Sequence, residues 1–219
     1  MSTGLLPGLT AVILCGGESR RMGRPKHALV AAGKTLLAHM IEGVRPLATE
    51  VLIVGKAPPD DLPGGVGWVA DERPEQGALV GIVSGLRAAS NEWVWMLACD
   101  MAPVDPALLK ALRARRAGVQ AVLPRTARGL EPFGALYHRS AAHHLDRCVR
   151  QGRLGVVEAV SGLNHAAVGG EDLGLAPGLL PAFPNANTPE EFETMRRRLD
   201  GTERGRAPDE MSLDPRTPP

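Results

Sequence analysis

Apolar residues gather along this chain in two kinds of run that alternate. One kind is short and continuous: Leu9 to Cys15, Val51 to Val54, Val66 to Ala70 and Trp93 to Cys99. Runs of that length, bounded by turn residues, suit strands buried on both faces. The other kind recurs at helical spacing. Thr35 to about Pro46 puts Leu36, Leu37, Met40, Ile41 and Val44 on one face, and Leu79 to Ala89 repeats the period. Asp105-Pro106 opens a further helix, with an acidic N-cap and proline at the first helical position. This alternation predicts an α/β protein, a three-layer α/β/α domain whose sheet is mostly parallel and doubly wound in the Rossmann-like manner.

The later chain is less regular. Ala121 to Leu123 and Phe133 to Tyr137 read as strands, and Ala141 to Arg150 as a helix. Thr188-Pro189-Glu190-Glu191 is a capping box with proline at N1, opening a helix to about Leu199. Residues 201–219 are rich in Pro, Arg, Asp and Gly, and we expect a disordered tail there. The first 200 residues then form one domain.

Composition narrows the function classes. A formal charge of +1 argues against broad binding of nucleic acid or anionic membrane. With 3% aromatic residues, a base-stacking platform is not expected either. Cys15, Cys99 and Cys148 are odd in number and far apart, which fits neither a disulfide framework nor a zinc site. The sequence shows no signal-peptide pattern and no run long enough to span a bilayer, so a cytoplasmic protein is expected. His27, His39, His138, His143, His144 and His165 form no catalytic pattern and read as surface or packing residues.

The first strand runs into Leu14-Cys15-Gly16-Gly17-Glu18-Ser19-Arg20-Arg21-Met22-Gly23-Arg24-Pro25-Lys26. Adjacent glycines let backbone N–H groups approach phosphate oxygens and accept positive φ without strain. Arg20, Arg21 and Lys26 can offset polyphosphate charge. Gly-Gly alone would read as a tight turn. The segment is neither a Walker loop, since Ala28 stands where the leading glycine would be, nor a G-x-G-x-x-G fingerprint.

As a whole the segment resembles the LxGGxSxRMGxxK signature of the molybdenum cofactor guanylyltransferases. Three further blocks match the same family in order: Asp71 to Ile82 resembles DxxPGxGPLxGI, Ala98 to Pro103 resembles xCDMP, and Phe183 to Glu191 resembles FxNxNTPEE. Ala78 and Ala102 depart from it, since the family usually has proline at both positions. The resemblance implies transfer of GMP from Mg²⁺·GTP to the phosphate of molybdenum-molybdopterin, with a nucleotide half over about residues 9–125 and an acceptor half over about 126–200. It implies catalytic roles for Lys26, Arg21 and Asp100, and nucleotide contacts from Leu14, Cys15, Gly16, Gly17, Lys26, Asp71 and Asp100. Asp100 would hold the metal, and Asn185 and Asn187 would face the acceptor. Read alone, Asp100 could equally anchor a loop, and the two asparagines could be turn residues before a capped helix. Gly16-Gly17 favours GTP over CTP within this family. Three alternatives stay open: cytidylylation of the same pterin, guanylylation of another phosphorylated small molecule, and a non-catalytic nucleotide-binding protein. A labile product implies hand-over, so molybdenum-insertion proteins and molybdoenzymes or their chaperones are the expected partners.

Overall fold

The computed structural model describes residues 8–15, 26–59, 62–71, 77–101, 105–174, 180, 186 and 188–200, with the side chains of Lys26, Pro189 and Arg198 outside that description. The chain begins with β1 (Leu9–Leu14), a small hairpin of β2 (Val30–Ala31) and β3 (Lys34–Thr35), and α1 (Leu36–Val44). Next come β4 (Glu50–Gly55), β5 (Val66–Ala70), α2 (Ala78–Ala88), β6 (Trp93–Ala98) and α3 (Pro106–Ala114). The second half contributes β7 (Ala121–Thr126), β8 (Gly129–Leu130), β9 (Ala135–His138), α4 (Ala141–Arg150) and α5 (Val156–Ser161). It ends with β10 (His165–Val168) and α6 (Pro189–Leu199).

The main sheet runs β5-β4-β1-β6-β9-β7-β10, with β8 paired to β7. Its pairs are parallel except around β9, which lies antiparallel between β6 and β7, and at the β7–β8 hairpin. The expected mostly parallel sheet is therefore present, and β7 points the same way as β6. Every residue of β1 is buried because helices cover both faces. Leu9, Ala11 and Ile13 face the core built with α1 and α3, whereas Val12 and Leu14 face the one built with α2, α4 and α5. A third, small core joins Ala31 and Leu36 to Ala186 and Met195, seating α6 on the hairpin and on the start of α1.

Local chemistry sets the helix starts as read. The Thr35 hydroxyl accepts from the Ala38 N–H at 3.1 Å and the Asp105 carboxylate from the Ala107 N–H at 2.8 Å. At α6 the Glu191 N–H donates to Thr188 Oγ1 and the Thr188 N–H to Glu191 Oε2, both at 3.2 Å, which completes the capping box. Proline accounts for one correction: β7 continues past Leu123 to Thr126, because Pro124 lacks only an N–H and its carbonyl still accepts from Glu131 at 2.9 Å. β9 starts at Ala135 rather than Phe133, since Gly134 is left-handed at φ +72°. The hairpin, α5, β8 and β10 were not expected. The strands among them are two to four residues long, too short for a period, and α5 opens with Val156-Val157, which reads as strand. The expected tail over 201–219 lies outside the described residues.

Candidate active site

Strand order reverses at β1. From β1 the chain moves outward to β4 and β5, then crosses back to lay β6 on the other side of β1. The carboxyl ends of β1 and β6 therefore flank a crevice, where open α/β sheets bind ligands.

Leu14 and Cys15 form one lip. Leu14 pairs with Ala98 at the end of the β1–β6 ladder, and its carbonyl accepts the Cys99 N–H at 3.1 Å. The Cys15 N–H donates to the Val54 carbonyl at 2.7 Å, so the chain is fixed on both sides just before Gly16. Cys99 is buried and Cys15 half-buried, both packed as small hydrophobes against the core of α1 and α3.

Asp100 forms the other lip. The Met101 N–H closes a turn onto the Ala98 carbonyl at 3.1 Å, with Cys99 and Asp100 between them, so β6 stops and Asp100 stands half-buried at the sheet edge. Its carbonyl accepts the Ala186 N–H at 2.9 Å. That bond ties the segment before α6 to the crevice, a link that no local pattern announces.

Asp71 follows β5, its N–H held by the Gly55 carbonyl at 2.8 Å. Its Oδ1 accepts from the Ser84 hydroxyl at 3.4 Å, while Oδ2 lies 3.8 Å from the point a Gly81 side chain would occupy. Asp71 and Asp100 stand at the ends of strands three spacings apart, about 14 Å between backbones. The two carboxylates suit opposite ends of one ligand, not a shared ion. Gly81 and Gly85, four residues apart on α2, let the helix lie close on β1: side chains there would meet Leu14 methyls at 3.4 Å and Val12 Cγ1 at 2.6 Å. The i, i+4 glycine spacing was the signal that could have revealed this contact. Ala78, at the usual proline position, is the first residue of α2 after Gly77, whose φ is +136°.

Lys26 opens a one-turn 3₁₀ helix to Ala28, and Leu29 packs onto the small core under α6. The Lys26 side chain and Gly16, Gly17, Arg21, Ala102, Asn185 and Asn187 lie outside the described residues. Several histidines make local bonds: His39 to the Ala31 carbonyl at 2.8 Å, His138 to Ser140 Oγ at 2.9 Å and His165 to the Leu163 carbonyl at 3.0 Å. His138 also stacks edge-on against Trp93.

The donors present decide which ion could sit here. Among the described residues no three His, Cys, Asp or Glu side chains come together. A soft or tetrahedral metal cage is thus not provided by those residues. A carboxylate such as that of Asp100, at a sheet edge, suits Mg²⁺, a hard cation that takes most of its shell from water and nucleotide phosphates.

A family model described as the MobA-like NTP transferase domain matches residues 11–166. A molybdenum cofactor guanylyltransferase of Desulfosudis oleivorans is 30% identical over 190 residues, covering 86% of this chain and 94% of its own. A probable molybdenum cofactor guanylyltransferase of Chloroflexus aggregans is 33% identical over 203 residues, covering 89% and 96%. Among solved structures, molybdopterin-guanine dinucleotide biosynthesis protein A of Archaeoglobus fulgidus superposes with a TM-score of 0.71 at 26% identity, covering 86% of this chain and 97% of that one.

Proposed function

We propose that this chain, which belongs to the MobA-like NTP transferase family, transfers GMP from GTP to the terminal phosphate of molybdenum-molybdopterin. The products are molybdopterin guanine dinucleotide and pyrophosphate. The observation that carries the reading is the pairing of Leu14 with Ala98 and Cys99, just before Gly16 and Asp100, in a chain whose relatives bear the guanylyltransferase name.

The chemistry asks for alignment and charge stabilisation. A terminal phosphate is already an anion, so its oxygen attacks the α-phosphorus without a general base, and the bond from that phosphorus to pyrophosphate breaks. Backbone N–H groups after Cys15, at Gly16 and Gly17, are assigned to the phosphates, with Arg21 and Lys26 offsetting the charge that builds on pyrophosphate. Asp100 is the residue assigned to hold Mg²⁺. When bound with the nucleotide, the ion neutralises phosphate charge. Asp71 is assigned to the nucleoside end, three strands from Asp100, and Asn185 and Asn187 to the acceptor. On this reading residues 9–125 serve the nucleotide and residues 126–200 the acceptor. The protein works in the cytoplasm and passes its product to molybdoenzymes or their chaperones, in contact with molybdenum-insertion proteins. Among the described residues no helix is long and apolar enough to cross a membrane.

The test incubates purified protein with Mg²⁺, molybdopterin or its molybdenum-loaded form, and GTP or CTP, following nucleotide incorporation and pyrophosphate release. Incorporation with GTP alone is expected, reduced by about 100-fold or more in Asp100→Ala. Incorporation with CTP alone overturns the choice of base. No turnover with either overturns the reaction.

A further inference from the structure

Glu131 has no part in the transfer just described, yet the fold brings it to the carboxyl edge of the sheet, at the end of β7, and holds it there. The β6–β9 ladder pairs Trp93 with His138 and Met96 with Ala135. That ladder ends at the left-handed Gly134, and Glu131 lies instead opposite Pro124 of β7, with its side chain reaching Thr126. β7, which points the same way as β6, ends at Thr126 on this same edge.

The carboxylate is anchored there, not merely solvated. The Glu131 N–H donates to the Pro124 carbonyl at 2.9 Å. Thr126 Oγ1 donates to Glu131 Oε1 at 2.8 Å and itself accepts the Arg128 N–H at 3.1 Å. Thr126 is buried, and its one hydroxyl proton is committed to Glu131. The following residue is held as well: the Pro132 carbonyl accepts from the fully buried Tyr137 phenol at 2.8 Å. Burial pushes that phenol far above its ordinary value, so it remains a donor. Two backbone bonds bring described residues of the later chain to this edge. The Leu180 N–H donates to the Arg125 carbonyl at 2.8 Å, and Ala186 reaches Asp100.

A half-buried carboxylate with one oxygen already fixed presents acceptors only. It repels phosphate, so of the acceptor's two ends it suits the donor-rich pterin and not the phosphate. The 2-amino-4-oxopyrimidine edge fits: a ring N–H and an amino N–H lie side by side, matched to the two oxygens of a carboxylate. Pterin and guanine share this edge. The nucleoside end of GTP is assigned to Asp71, across the sheet, and Glu131 belongs to the half that follows β7. Resting on the guanylyltransferase reading, we propose that Glu131 recognises the aminopyrimidinone edge of the acceptor's pterin and sets the preference for a pterin.

The full chain is titrated by fluorescence with neopterin and with the corresponding lumazine, which carries oxygen in place of the amino group. GMP transfer to molybdopterin is measured in parallel. Wild type is expected to prefer the pterin by about 10- to 100-fold, the range for charge-assisted hydrogen bonds. Glu131→Gln keeps an oxygen for Thr126 but sets an amide donor against the pterin donors. It should abolish the preference and raise KM for molybdopterin by a similar factor, leaving kcat and KM for GTP within about twofold. Thr126→Val should weaken pterin binding and Thr126→Ser should restore it. An unchanged preference in Glu131→Gln overturns the proposal, as does a rise in KM for GTP instead, which would assign the edge to guanine. Transfer by wild type with an unaltered variant sinks the Glu131 assignment alone. A preference lost in the variant, in a wild type that transfers no GMP, sinks the reaction and leaves the assignment standing.

Discussion

Two glycines one helical turn apart on α2 should respond oppositely to the same substitution. Gly→Ala within a helix gains up to about 1 kcal/mol from propensity, and that gain is common to Gly81 and Gly85. The contacts differ. An alanine methyl at Gly85 would lie 2.6 Å from Val12 Cγ1 and 3.4 Å from both Val12 Cγ2 and Val54 Cγ2. Val12 is fully buried in the central strand and branched at Cβ, so it has little room to turn away. Relieving that overlap by lifting α2 off β1 costs roughly 1–3 kcal/mol. At Gly81 the nearest atoms are the Leu14 methyls at 3.4 Å, on a flexible side chain. Gly85→Ala should therefore be less stable than Gly81→Ala by about 1–3 kcal/mol, each kcal/mol lowering Tm by roughly 2–4 °C for a chain of this size. Thermal and urea unfolding by circular dichroism measure the difference. Val12→Ala added to Gly85→Ala removes the clashing atoms, and the pair should show a favourable coupling of about 1 kcal/mol or more. Equal stability of the two single variants, or no coupling, would refute the close seating of α2 on β1. The Gly81 methyl also sits 3.8 Å from Asp71 Oδ2. If Asp71 holds the nucleoside, Gly81→Ala should raise KM for GTP severalfold while leaving the fold intact.

Ala78→Pro should stabilise the chain by about 0.4–1 kcal/mol in urea unfolding, because Ala78 is the first residue of α2, where an N–H has no intrahelical acceptor and proline fits; a loss of stability would mean that N–H is already engaged. At the opposite edge of the sheet, Thr10 Oγ1 donates to Glu50 Oε2 at 2.5 Å, and the Ser90 N–H and hydroxyl add bonds at 2.8 Å. Burial alone would raise the Glu50 carboxyl, yet these bonds hold it below its ordinary value of 4.5. A depressed carboxyl contributes stability above the unfolded value that is lost as pH falls through the folded one. Wild type should thus lose stability more steeply than Glu50→Gln below about pH 4.5, and parallel pH profiles would contradict this assignment.

What the sequence disclosed, and what it hid, follows from the range of each interaction. Leu9 to Leu14 and Trp93 to Ala98 were legible because a strand covered on both faces must be apolar throughout, and Asp105 and Thr188 because capping is settled within three residues. Asp100 was legible as a charge closing the most apolar strand, where a polar group is tolerated only at the edge. The neighbours of that charge were not. Ala186 reaches Asp100 through a backbone bond that any residue but proline could make, so no side chain marks it. Glu131 is held at that edge by the short β7–β8 hairpin, and it joins the main sheet because β9 then returns antiparallel between β6 and β7; strands of two and four residues carry no sign of which strands they will join. On the proposed reading, the nucleotide side draws on strand ends and the residues just after them, so its parts are contiguous in sequence and readable one by one. On the proposed reading, the acceptor side draws on β7, the turn before β9 and the chain at Ala186, which a single long-range bond holds to Asp100. A carboxylate outside the four matched blocks, anchored at the end of β7 by Thr126, emerges there as the residue to test.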